Sequence, residues 1–177
     1  MTGLLIVDAQ NGLFERIEDA AAKLNAMHVL LEAARSAGAP VFFTEDVDVG
    51  AVGSAARAIH AVLKPLEGET VIEKGAADAF HGTNLEERLR QAGVNNIVLS
   101  GLQTPICVFA TTMGAVYRGF NVILAADAHG TQATEELSAE RVVAYHNEFL
   151  DGFGSTGHGF DASHPNVRVQ PVAEIDF

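Results

Sequence analysis

The sequence predicts a doubly wound α/β fold, with a mostly parallel sheet and helices on both faces. Two observations predict it. Short apolar runs alternate with helix-period segments from one end of the chain to the other. The runs are apolar almost throughout rather than at every second residue, as needed where both faces of a sheet are covered. Right-handed crossovers then place helices on the two sides. In such sheets ligands bind beyond the carboxyl ends of the strands, so residues just after each strand are the ones to inspect.

The elements follow in order. Leu4 to Val7 is the first strand and stops at Asp8. Asp19 to Ser36 carries Leu24, Met27, Leu30, Leu31 and Ala34 at helical spacing, with Gly38 and Pro40 as stop signals. Val41 to Thr44 is the second strand, and Val71 and Ile72 mark a short third. Thr83-Asn84-Leu85-Glu86 has the capping-box pattern, predicting a helix from Thr83 to about Gly93. Asn96 to Ser100 is the fourth strand, and a helix from about Pro105 to Gly119 is expected after the turn at Gly101. Asn121 to Ala125 is the fifth strand, and Thr134 is the expected cap of a helix reaching Asn147. Val167 to Val169 is a short sixth strand. Two segments break the alternation. Val47 to Leu66 reads as an insertion with a helical patch at Ala55 to Leu63. Gly152 to Asn166 reads as a Gly-rich loop, an arm or lid.

Length and charge narrow the function. A chain of 177 residues suits one domain, 1–177, and 48% hydrophobic residues can build its core. Eleven Lys and Arg against 23 Asp and Glu leave a net charge of −12, which disfavours nucleic acid and anionic membrane surfaces as partners. No apolar run is long enough for a membrane span, and the N-terminus lacks the basic region of a signal peptide. One cysteine cannot form an internal disulfide, so a reducing, cytoplasmic location is expected.

Asp8 follows strand one, Lys74 follows strand three, and Cys107 follows strand four at the start of a helix. Together they are a base, a cation and a thiol. A thiol needs activation to act as a nucleophile. The helix N-terminus and a nearby ammonium are expected to lower its pKa, so that Cys107 alkylates below pH 7. An aspartate in reach can take the proton and return it to an amine leaving group. Singly, each has a plain structural reading: a buried thiol, a turn-capping aspartate, a solvated lysine.

The wording around them is more specific. Gly3 to Phe14 (GLLIVDAQNGLF), Glu73-Lys74 with Asp78 to Leu85 (DAFHGTNL), and Gly101 to Val108 (GLQTPICV) with Ala110, Thr111, Ala115 and Gly119 occur in order. Val122 to Ala128 (VILAADA) follows. The stretch from Gly3 to about Asn147 resembles the isochorismatase-like cysteine hydrolases, whose members include nicotinamidases and N-carbamoyl amidohydrolases. The resemblance implies that Asp8 is the general base and acid, Lys74 its electrostatic partner and Cys107 the nucleophile. It also implies a cis peptide bond between Leu102 and Gln103, and an oxyanion hole formed by the backbone N–H groups of Gln103 and Cys107. Phe14, Phe80 and Gln103 are the expected pocket residues. A homo-oligomer acting on a small molecule is expected. Retention of Cys107 argues against isochorismate, because vinyl-ether hydrolysis needs no thiol.

Several positions depart from the family pattern. Where metal-binding members have an Asp-x-His motif, this chain has Asp46-Val47-Asp48, with His60 as the best remaining imidazole. Carboxylates alone suit hard cations rather than zinc or iron, so no metal and no cofactor are expected. Asp78 and Pro105 stand where Ser and an Asp or His are usual. The His158, Asp161 and His164 set reads as a polar surface loop, and His146-Asn147 either as a plain helix end or as a pair reaching the pocket or a subunit boundary. The leading function is a cysteine amidohydrolase cleaving an amide, carbamoyl or ureide C–N bond through a thioester. The alternatives are a binding protein with a redox-sensing Cys107, or hydrolysis of a non-amide bond at the same site.

Overall fold

The structure, a computed structural model, describes residues 1–155, 157–158 and 164–177. Its main sheet holds six parallel strands: β1 (Thr2–Val7), β2 (Val41–Asp46), β3 (Thr70–Lys74), β4 (Asn96–Leu102), β5 (Asn121–Gly130) and β8 (Val167–Gln170). β6 (Phe153–Gly154) and β7 (Gly157–His158) form a small antiparallel pair. The sheet order is β3-β2-β1-β4-β5-β8, every pairing parallel. The direction of winding reverses between β1 and β4, and the crevice beyond their carboxyl ends is where such a sheet binds its ligand.

The pleat sorts the apolar runs into two cores. Leu5 and Val7 face α3 (Leu85–Gln91), α4 (Phe109–Tyr117) and α5 (Ala139–Leu150) through Leu85, Leu89, Ala115, Val116 and Leu150. Leu4 and Ile6 face the other way, onto Met27, Leu30, Leu31 and Ala34 of α2 (Ala20–Ser36). The apolar stripe of α2 is therefore the one its spacing predicted.

Boundaries shift where side chains find other partners. The Thr83 hydroxyl accepts from the Leu85 N–H and donates to the Ala79 carbonyl, so α3 starts two residues late. Glu86 does not close a capping box; it reaches Arg90 and Arg118 instead. Thr134 does not cap α5. Its hydroxyl accepts from Glu136 and Leu137 within a turn, and Ser138 caps the helix through the Arg141 N–H. The helix expected from Pro105 opens as a π-helical turn, Thr104–Val108, before α4 begins. Residues 55–63 hold no α-helix. The insertion has only 3-10 turns at Val47–Val49 and Ala61–Leu63. It is tied down where the chain leaves β1: Gln10 Nε2 donates to the Arg57 carbonyl and Asn11 Nδ2 to that of Ala55. It thereby folds over the carboxyl end of the sheet. Residues 156 and 159–163 of the 152–166 segment, Asp161 among them, lie outside the described residues.

Candidate active site

Three strand ends deliver three side chains to one point. Asp8 is the first residue past β1, and its φ of 49° turns the chain out of the strand. Lys74 ends β3 and lies in register with Asp46 at the end of β2. Cys107 sits in the π-helical turn after β4. β1 and β4 approach closely here because Gly101 has no side chain; a Cβ would overlap the Val7 carbonyl. Its φ of 130° also suits glycine alone. The Leu102–Gln103 peptide bond that follows is cis.

The Lys74 ammonium is the hub. Its Nζ lies 2.8 Å from Asp8 Oδ2, 3.0 Å from Asp46 Oδ2, 3.0 Å from the Ala76 carbonyl and 3.3 Å from Cys107 Sγ. An ammonium has three protons, so its hydrogen bonds to Asp46, the Ala76 carbonyl and Cys107 use its whole donor capacity, and Asp8 is held as an ion pair. The other Asp8 oxygen accepts from the Thr44 hydroxyl at 2.6 Å, and the Thr44 oxygen accepts from the Asp8 N–H. Gln10, fully buried, holds Asp46 at both backbone groups: Oε1 accepts from its N–H and Nε2 donates to its carbonyl. Asp8 and Lys74 are both buried, whereas Cys107 is half-buried and faces the cleft.

Burial dominates the electrostatics. It raises the Asp8 carboxyl above the usual carboxylate range despite Lys74 and Thr44. Burial works against the Lys74 charge, but the Asp8 carboxylate more than offsets it and holds the ammonium above its ordinary value. Cys107 is pushed up to about 12, first by burial and then by the negative charge of Asp8, which together outweigh Lys74. The sequence-based expectation of a thiol ionised below pH 7 is therefore corrected. Burial and the Asp8 charge thus favour the neutral thiol, against the pull of Lys74.

The same ammonium bears on metal binding. Among the described residues, Asp8, Asp46 and Cys107 place potential ligand atoms within 4.8 Å of one another. Lys74 Nζ already sits against all three, where a cation would have to go. Asp46 is thus spent on Lys74, and its other oxygen accepts from the Asp48 N–H. His60 does not join the group; its Nδ1 accepts from Val62 and its ring meets the edge of Phe14. Asp161 and the side chain of His158 lie outside the described residues.

A cavity of about 240 Å³ opens on Cys107, lined by Asp8, Leu13, Arg16, Asp46, Asp48, Val49, Gln103, Ile106 and Cys107. Of the three expected pocket residues, Gln103 lines it. Phe14 and Phe80 do not: both are buried, Phe14 in the α2-side core and Phe80 stacked on Phe120 in the other. Leu13, next to Phe14 in the chain, and Ile106 take the lining role. Asp78 is drawn to Arg118, which also lies over the Phe80 ring, so it braces α4 rather than the cavity. In the sequence Thr44 and Gln10 carry no assigned role, and Asp46 figures only as a cation ligand, not as a partner of Lys74.

A second buried network backs the nucleophile turn. His129 on β5 is fully buried, with Nδ1 2.9 Å from Thr104 Oγ1 and Nε2 2.8 Å from Asn147 Oδ1. Burial lowers its pKa to about 4, so it is neutral at ordinary pH. The Thr131 hydroxyl donates to Gln103 Oε1 at 3.3 Å. Asn147 thus belongs to this network, while His146 pairs with the Val142 carbonyl.

With this geometry in view, comparison with known proteins is decisive. The isochorismatase domain family model matches residues 2–151. The chain belongs to the isochorismatase family. It is 32% identical over 161 residues to the uncharacterized isochorismatase family protein YddQ of Bacillus subtilis, covering 82% of this chain and 86% of that one. It is 36% identical over 135 residues to the streptothricin hydrolase of Streptomyces noursei, covering 72% of this chain and 54% of the relative. An isochorismatase from Pseudomonas putida superposes with a TM-score of 0.83 at 25% identity, over 98% of this chain and 89% of that one. Among the described residues, no helix of this family member is long and apolar enough to cross a membrane.

Proposed function

We propose that this protein is a cysteine amidohydrolase of small molecules, built on one domain and working through a thioester. The observation that carries the reading is the contact of Lys74 with both Asp8 and Cys107 at the mouth of a small cavity. Family members of related sequence include a streptothricin hydrolase, and a nicotinamidase of Arabidopsis thaliana and an N-carbamoylsarcosine amidase of Arthrobacter, the last two named for an amide and a carbamoyl substrate.

The steps follow from the charges. As Sγ attacks the substrate carbonyl carbon, the thiol proton passes to Asp8, whose raised pKa suits it to receive one. The backbone N–H groups of Gln103 and Cys107 hold the developing oxyanion. The C–N bond breaks, Asp8 gives its proton to the leaving nitrogen, and a thioester to Cys107 remains. Asp8 then takes a proton from water, hydroxide adds to the thioester, and the acid leaves as the thiol is restored. Lys74 stays charged throughout and keeps the Asp8 carboxylate oriented. Arg16, Asp46 and Asp48 are the charged groups at the cavity wall beyond the triad, Asp46 being already paired with Lys74.

The test is a screen of primary amides, carbamoyl compounds and ureides read by ammonia release, with mass spectrometry of the enzyme during turnover. An acyl adduct on Cys107, and loss of turnover in a folded Cys107→Ala variant, are expected. A protein that releases no ammonia and gains only a sulfenate on peroxide treatment would be a redox sensor instead.

A further inference from the structure

We propose that His129 is a positioning residue for the nucleophile, a tautomer-locked imidazole that fixes the turn carrying Cys107 by accepting the Thr104 hydroxyl proton. The inference rests on the reading of Cys107 as nucleophile.

The tautomer follows from the chain of partners. Asn147 Nδ2 donates to the Ala126 carbonyl at 3.0 Å, so its Oδ1 is the atom turned to the histidine. The reverse amide orientation would press two oxygens together. His129 Nε2 must therefore carry the proton, which leaves Nδ1 as an acceptor. The Thr104 hydroxyl is the only donor within 2.9 Å that the described residues offer it. Thr104 begins the π-helical turn that ends one residue past Cys107, and it is buried. Holding its side chain fixes the start of that turn.

The backbone supports the same role. β4 and β5 pair Leu99 with Leu124, then Gly101 with His129 and Leu102 with Gly130. The bulge in β5 lets residues beyond Ala125 rejoin β4 opposite the residues just before the turn. β8 pairs with β5 only as far as Ala125, so this extension serves β4 alone. Thr131, next in line, reaches Gln103. One strand extension and one α5 side chain thus brace Gln103 and Thr104, the two residues that lead into the turn carrying Cys107. A full charge on His129 would require both ring nitrogens to donate, which Thr104 could satisfy only by reversing its hydroxyl.

The experiment compares wild type with His129→Phe, His129→Gln and Thr104→Val, at a temperature where circular dichroism shows each folded. Glutamine offers an acceptor to Thr104 and a donor to Asn147; phenylalanine offers neither. The Phe and Val variants should lose about tenfold or more in kcat with KM within about twofold, because a misplaced reacting group costs rate rather than binding. Glutamine should restore most of the loss. Iodoacetamide should alkylate Cys107 at least about threefold faster at pH 8 in the Phe and Val variants, as the loosened turn exposes the thiol. Nitrogen-15 spectra of the wild-type imidazole should show a neutral ring protonated at Nε2 from about pH 5 to 9. Wild-type kcat and alkylation rate in a folded Phe variant, an Nδ1–H tautomer, or titration within that range would each overturn the proposal. A wild type that hydrolyses no amide probe would refute the hydrolase reading instead, and the alkylation and imidazole measurements would still decide the role of His129.

Discussion

Replacing Asp8 by asparagine should make Cys107 more reactive and the protein inactive. The carboxylate and the thiol lie within 4.8 Å of one another. Two unit charges at that distance interact by about 3.5 kcal/mol at an effective dielectric of about 20. On the thiol this is about 2.5 pH units, enough to bring Cys107 from about 12 toward about 9.5 in Asp8→Asn. Below both values the thiolate fraction then rises roughly 300-fold. A less basic thiolate is a weaker nucleophile, with a Brønsted slope of about 0.4–0.5, which returns about tenfold of that gain. The net expectation is iodoacetamide alkylation about twentyfold faster at pH 8. Turnover should nonetheless vanish, because asparagine cannot carry the proton. Lys74→Met should move alkylation in the opposite direction, since the ammonium is the group that favours the thiolate. The assay is the second-order alkylation rate between pH 6 and 10 for the three proteins, set beside ammonia release. Wild-type alkylation that does not change with pH between 6 and 9 would refute the reasoning. The proton would then already reside on Asp8, with a resting thiolate held by Lys74.

Three further outcomes are expected. Because His129 is held near 4 in the fold and near 6.5 in the open chain, the unfolded state binds its proton first; its stabilising effect is whole above about pH 6.5 and fades as pH falls toward 4. Urea unfolding at pH 7 and 4.5 should show a loss of up to about 3 kcal/mol from this group, and His129→Gln should show a smaller loss; equal losses would contradict it. Activity should survive dialysis against EDTA, since Lys74 occupies the space between Asp8, Asp46 and Cys107; loss on chelation, restored by a transition metal, would contradict it. Light scattering should find a homo-oligomer, and a monomer at micromolar concentration would remove the arm reading of the 152–166 segment.

The sequence by itself determined the fold class and the strand ends that bring Asp8, Lys74 and Cys107 together. Apolar runs of Leu4 to Val7 or Asn96 to Ser100 fit only strands covered on both faces, and the strand ends then named Asp8, Lys74 and Cys107 as neighbours. These are local patterns and a topological rule, both readable without coordinates. What only the tertiary structure decided depends on distances between segments remote in the chain. Thr44 and Asp46 reach Asp8 and Lys74 across strands, and Asn147 reaches His129 across a helix and a sheet. Burial decided the sign of the thiol shift, because a helix start and a lysine were visible in the sequence while the desolvation that outweighs them was not. It also sent Phe14 and Phe80 into the cores: an aromatic residue near a motif can face either side of its segment, and packing chooses the side that hides more apolar surface.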